Sequence, residues 1–175
     1  RSDTQEFAFS RGNWDEFTED QRTALKSGGG GTDAENVELA KERIDFLRGD
    51  RSDEGTFRVR ASLIGDIIGS TPPVVVGAPY RFFQDHGYLV AEEVDGTSFR
   101  DTHANRTEVV YVGANDGMLH AFDADLGTEK FAYIPRMVFD DLADLTLPGY
   151  GSDPPHRNFV VRSPRVTPIS AVPGT

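Results

Sequence analysis

Acidic side chains between Asp123 and Glu129 are the first place to look for metal chemistry. The segment reads DADLGTE, in which oxygen-bearing side chains alternate and a glycine permits a bend, as in a calcium-binding loop. The spacing does not fit, because a loop starting at Asp123 needs glycine at the position of Thr128 and a bidentate glutamate at that of Ile134. We therefore predict plain turns whose aspartates cap backbone amides, and no metal ligands.

His120 is the histidine with the most defined surroundings. Met118 and Phe122 alternate with it on one strand face, and the opposite face is also apolar, which predicts a packed, hydrogen-bonded side chain. A catalytic base needs a nucleophile and an orienting acid, and the sequence supplies neither beside it. The remaining histidines fall in loops without useful spacing: His86, His103 and His156. We predict no catalytic residue and no enzyme activity.

Arg48, Gly49 and Asp50 form the tripeptide that integrins bind, with an arginine and a carboxylate held apart by a glycine. Two interpretations stay open. In the structural interpretation, Gly49 ends a helix in a left-handed conformation, and the two charged residues lie where the chain leaves that helix. In the adhesive one, the three residues bind a receptor; short motifs of this kind also arise by chance.

Composition excludes several classes of function. The chain has 175 residues, with 18 Lys+Arg against 29 Asp+Glu, and a net charge of -11 that repels polyanions, so nucleic acid is not an expected partner. There is no cysteine, which excludes disulfides and thiolate zinc sites. No apolar run is long enough to span a bilayer.

The first 55 residues are predicted to be a helical lead-in. Thr18 with Gln21, and Thr32 with Glu35, have capping-box spacing and predict two short helices between Trp14 and Leu47. The second helix is expected to place an apolar stripe on one side: Val37, Ala40, Ile44 and Leu47. The glycines at 28–31 predict a flexible connection.

From residue 56 onward the pattern is mainly β. Four apolar runs predict strands: Val74–Gly77, Val109–Gly113, Met118–Asp123 and Glu129–Ile134. Asn115, Asp116 and Gly117 predict a tight structural turn, because Asp-Gly supplies positive φ angles. Asp66 is expected to bond to amides of a different turn, the inter-blade turn that leads to the strand at Val74. We also predict a long surface excursion from Phe82 to Arg106, a short helix with an apolar face from Met137 to Leu145, and a strand at Phe159 to Arg162.

Four motifs in fixed order resemble the PilY family, type IV pilus tip-associated adhesin and biogenesis proteins of bacteria. They are FLRGDRSDE at 46–54, FRVRASLIGDIIGSTPPVVVGAP at 57–79, VVYVGANDGMLHAFDADLG at 109–127 and FAYIPR at 131–136. The resemblance implies that residues 56–175 begin the C-terminal quinoprotein-like β-propeller domain of that family. Because a blade gains stability only when neighbours stack on it, we expect a partial propeller, about one blade plus pieces, cut before its end.

The resemblance also implies a function. It predicts a non-enzymatic, exported component acting in pilus biogenesis, adhesion and twitching motility, at the cell surface, pilus tip or outer membrane and periplasm of a Gram-negative bacterium. Expected partners are minor pilins and, through Arg48 to Asp50, a host integrin or surface ligand. No cofactor is expected in this segment, and any calcium function would have to reside elsewhere in the full-length protein. Two alternatives are a fragment of a quinone-dependent dehydrogenase and a periplasmic propeller scaffold for outer-membrane assembly.

Overall fold

A computed structural model of the chain describes residues 7–76 and 105–156. These residues fall into two compact units. The first contains residues 7–68, 114–118 and 134–156, and the second contains residues 69–76, 105–113 and 119–133. The excursion predicted from Phe82 to Arg106 falls almost wholly outside the described residues, as does the strand predicted at Phe159 to Arg162.

Both predicted capping boxes are present at the start of helices in the first unit. Helix α1 spans Glu19–Lys26 and helix α2 spans Asp33–Leu47, after a 3-10 turn at Arg11–Glu16. The Thr32 amide donates to Glu35 Oε2 at 2.7 Å, and the Glu35 amide donates back to Thr32 Oγ1 at 3.4 Å. The exchange satisfies amides that the first turn of a helix leaves free, so the sequence pattern identified both helix starts.

The core of the first unit lies between these helices and the segment after residue 135. Ala40 and Ile44 of the predicted stripe are buried in it, while Val37 and Leu47 are half-buried. The stripe did not predict Arg43, which is 3% exposed and donates to the carbonyls of Leu25 at 2.6 Å and Ser27 at 2.7 Å. The buried hydrophobic cluster consists of Phe17, Leu25, Ala40, Ile44, Val138, Phe139, Leu142 and Leu145.

The prediction of one helix from Met137 to Leu145 is wrong in the type of winding. The chain forms two 3-10 turns, Arg136–Asp141 and Asp144–Thr146, in which amides bond to carbonyls three residues earlier. This tighter winding turns Val138 and Phe139 into the core and leaves Met137 86% exposed, although the pattern placed it on the apolar face.

The second unit is a four-stranded antiparallel sheet in the order β1-β2-β3-β4. Its strands are β1 Val74–Val75, β2 Val109–Gly113, β3 Leu119–Asp123 and β4 Glu129–Tyr133. All four predicted strands are therefore present, each within two residues of its predicted bounds. Met118 does not open β3, because its carbonyl accepts the Ala114 amide within the turn. The mainly β fold is confirmed.

The register of β2, β3 and β4 places apolar side chains on both faces of the sheet. Tyr111 pairs with Ala121 and Ala121 with Phe131, while Val112 and His120 pair on the opposite face. Ala121, Val112 and His120 are buried, but every residue of β4 is exposed. The blade therefore has buried residues in its middle strands, whereas its last strand, β4, is exposed to solvent.

Candidate functional site

The turn carrying Arg48, Gly49 and Asp50 closes the end of α2. Gly49 has a φ of 110°, its amide donates to the Phe46 carbonyl at 2.9 Å, and the Asp50 amide donates to the Asp45 carbonyl at 3.0 Å. These paired bonds are the Schellman arrangement, which needs a left-handed residue where glycine has no steric penalty. The structural interpretation of Gly49 is confirmed.

Arg60 stabilises this turn through hydrogen bonds to backbone carbonyls. It is 6% exposed and donates to the carbonyls of Phe46 at 2.6 Å and Asp50 at 2.5 Å. Its Nε donates to Glu54 Oε1 at 3.0 Å, and the guanidinium lies 3.7 Å from the centre of the Phe46 ring. One buried cation thus bonds to the backbone at Asp50, the last residue of the tripeptide, and at Phe46, two residues before its first.

The two charged side chains of the tripeptide are exposed. The Arg48 guanidinium donates to the Phe9 carbonyl at 2.7 Å, and Asp50 Oδ1 accepts the Ser52 amide at 2.8 Å. The hydrogen bonds from Ser52 hold the pKa of Asp50 below its usual range, so the carboxylate stays ionised at neutral pH. The turn therefore presents two exposed side chains of opposite charge.

The predicted turn at Asn115, Asp116 and Gly117 is also present. Gly117 has a φ of 83°, and Asp116 Oδ1 accepts the Met118 amide at 3.0 Å. The second Asp116 oxygen accepts the Gly65 amide at 2.8 Å. The turn is therefore tied to a segment about fifty residues earlier, a long-range contact that the local pattern did not predict.

Asp66 takes part in this contact through its main chain. Its main-chain carbonyl accepts the Asn115 amide at 2.9 Å, while its side chain faces the imidazole of His156 at 3.4 Å. The carboxylate that bonds to the amides of Gly65 and Met118 is that of Asp116, whereas the side chain of Asp66 is largely exposed.

Within the sheet, His120 is packed and hydrogen-bonded as predicted. It is 6% exposed, its Nδ1 lies 2.6 Å from Glu129 Oε1, and its ring stacks on Phe122. Asp123 Oδ1 accepts the amides of Asp125 and Leu126, each at 3.0 Å, which confirms the capping role predicted for an aspartate in this segment. Both hydrogen bonds lower the pKa of Asp123, and the bond from the Leu126 amide has the larger effect.

No group of three or more histidine or acidic residues within 7–76 and 105–156 is arranged to hold a metal ion. The same part of the chain contains no helix long and apolar enough to cross a membrane.

Comparison with known proteins gives the family. The family described as the PilY1 beta-propeller domain matches residues 64–166, which is more than half of the chain and includes the whole sheet. The chain belongs to the PilY1 β-propeller domain family. The resemblance seen in the four motifs is thereby confirmed. No solved structure shows a significant match.

Several curated relatives are similar to this chain over shared segments. The type IV pilus biogenesis factor PilY1 of Pseudomonas aeruginosa strain PAK is 39% identical over 155 residues, which is 87% of this chain and 13% of the relative. A PilY1 homolog of Xylella fastidiosa strain Temecula1 is 45% identical over 115 residues, 63% of this chain and 9% of the relative. The chain therefore spans only a small part of the length of these proteins.

Sequence reasoning missed two arginines that organise the first unit, Arg60 and Arg58. In FRVR, alternation favours burial of Phe57 and Val59, yet the structure buries Phe57 and Arg60 and leaves Val59 74% exposed. The signal available in the sequence was Glu54, an acid six residues before Arg60 that can neutralise it.

Proposed function

We propose that this chain acts, as part of a longer protein, in the biogenesis of type IV pili, and that its contribution is non-enzymatic. The observation that carries the proposal is the match of the blade-forming segment to the PilY1 propeller family, together with relatives named as pilus biogenesis factors. Residues 56–175 would supply propeller structure and residues 1–55 a helical lead-in. Its partners would be other pilus proteins in the envelope or at the cell surface.

We further propose that the turn at Arg48 to Asp50 is an adhesive surface of the same protein. Three features support it: both charged side chains are exposed, the Asp50 carboxylate is ionised, and Arg60 donates a hydrogen bond to the Asp50 carbonyl. A rigid turn loses little conformational entropy when it binds, which favours recognition by a receptor such as an integrin. Contact with surfaces would then support adhesion and twitching motility.

The test uses the bacterium that encodes the protein, with the gene deleted and then restored as the full-length form. We expect deletion to abolish surface pili and the wild-type gene to restore them. Asp50→Glu is expected to restore pili equally but to reduce binding of the purified full-length protein to immobilised integrin at least about tenfold, because a longer side chain displaces the carboxylate.

Asp15→Glu is the matched control, since Asp15 is also exposed and lies outside the turn. It is expected to change neither property. Normal piliation after deletion would contradict the biogenesis role. Unchanged integrin binding by the Asp50→Glu protein would contradict the adhesive role alone.

A further inference from the structure

An exposed leucine lies against the turn at Arg48 to Asp50. A Cβ at Gly49 would lie 3.7 Å from Leu63 Cδ1, which is an ordinary van der Waals contact, so the leucine side chain packs beside the middle residue of the tripeptide. Leu63 is nevertheless 54% exposed. An apolar side chain therefore shares one surface with the exposed charged side chains of Arg48 and Asp50.

Hydrogen bonds on both sides of Leu63 hold it at this place. Three residues before it, the Arg60 carbonyl accepts a hydrogen bond from Arg51 Nη2 at 2.6 Å, and the Arg60 guanidinium bonds to the backbone of the tripeptide. Two residues after it, the Gly65 amide donates to Asp116 Oδ2 at 2.8 Å. Because so few residues separate these fixed points, Leu63 stays beside the turn.

An apolar group in this position can contribute affinity that the charged pair alone does not supply. Exposed charges are well hydrated, and they give a complex its orientation more than its strength. Burial of a leucine side chain stabilises a complex in proportion to the apolar area removed from water. Since the segment around Leu63 is already anchored, little conformational entropy is lost when a partner covers it.

We propose that Leu63 is a contact residue of the adhesive surface and determines which receptors that surface binds. The favoured receptors are those with apolar surface next to the site that binds the Asp50 carboxylate. The inference rests on the adhesive role proposed above for Arg48 to Asp50. It adds a residue that is distant in the sequence, so a short peptide that carries only the tripeptide lacks this contact.

The test is the binding of the purified full-length protein to immobilised integrin. Leu63→Asn replaces the apolar side chain with a polar one, and we expect the affinity to fall at least about fivefold, the effect of losing the burial of roughly half a leucine side chain. Leu63→Met keeps the apolar area and is expected to bind within about twofold of the wild type. Leu126→Asn is the matched control, because Leu126 is a 76% exposed leucine of the second unit, and it is expected to change nothing.

Asp50→Glu, measured in the same assay, separates this inference from the adhesive role. If Asp50→Glu weakens binding and Leu63→Asn does not, the leucine contact is wrong and the adhesive role stands. Unchanged binding by Asp50→Glu contradicts both.

Urea unfolding of the chain distinguishes a receptor contact from a packing role. A half-exposed contact residue can be replaced without loss of stability, so we expect Leu63→Asn to leave the urea midpoint unchanged. A lowered midpoint, failure of Leu63→Met to retain binding, or equal weakening by Leu126→Asn would overturn the proposal.

Discussion

Replacing Arg60 with methionine is expected to lower the free energy of unfolding by about 3–5 kcal/mol, the cost of removing one partner from a buried ion pair. The guanidinium donates to the carbonyls of Phe46 and Asp50 and to Glu54, and methionine can bond to none of them. Because small domains are stable by only about 5–15 kcal/mol, the loss would be visible as a large shift of the urea midpoint.

Arg11→Met is the matched control for this measurement. Arg11 also pairs with acids, at 2.8 Å from Asp45 and 3.2 Å from Glu38, but its side chain is 47% exposed. Exposed pairs contribute less than about 1 kcal/mol, so we expect a small change. Equal effects of the two substitutions would show that Arg60 does not hold the Arg48 to Asp50 turn in the way described.

Replacing Gly65 with alanine is expected to lower the free energy of unfolding by about 3 kcal/mol, at the upper end of the usual range for overpacking. A Cβ at this position would collide with the backbone nitrogen of Asp116 and lie 2.8 Å from the carbonyl carbon of Asn115. Backbone atoms cannot rotate away as a flexible side chain can, so the turn or the Gly65 segment must move. Urea unfolding measures the loss.

Gly30→Ala is the control for Gly65→Ala, because a Cβ at Gly30 has no neighbouring atom within 4 Å. Its expected effect is within about 0.5 kcal/mol. The amide resonances of Asn115 and Asp116 should shift in the Gly65 variant and not in the Gly30 variant. A Gly65→Ala chain as stable as the wild type would contradict the close approach of the two segments.

Local features of the fold could be predicted from the sequence because their causes are local. A threonine three residues before a glutamate satisfies amides of its own helix start, as at Thr32 and Glu35. Asp116 and Gly117 likewise contain the chemistry of their own turn. The strand bounds followed from the apolar runs that these turns separate.

Features that depend on distant residues could not be predicted in this way. Arg60 is buried because three acceptors separated along the chain converge on it, and no periodicity records that convergence. Met137 was misplaced because the choice between α and 3-10 winding depends on the core that the segment packs against. Gly65 and Asp116 lie 51 positions apart in the sequence, and the hydrogen bond between them forms only in the folded unit.

The antiparallel blade from Val109 to Tyr133 is the feature on which the fold and the proposed role both depend. In its register, Tyr111 faces Ala121. The Ala124 amide donates to the Glu108 carbonyl, and hydrogen-bonded pairs alternate with non-hydrogen-bonded pairs along antiparallel strands, so Tyr111 and Ala121 form a non-hydrogen-bonded pair. Backbones approach most closely at such pairs, to about 4.5 Å between Cα atoms, a distance that a disulfide can span.

The chain has no cysteine, so an engineered pair reports this register without interference. The measurement is the yield of disulfide on mild oxidation of the chain carrying Tyr111→Cys and Ala121→Cys, with Tyr111→Cys and Phe122→Cys as the control. A slip of one residue places the second cysteine on the opposite face of the sheet. We predict nearly complete cross-linking of the first pair and little of the second; equal yields, or the reverse order, would contradict the blade.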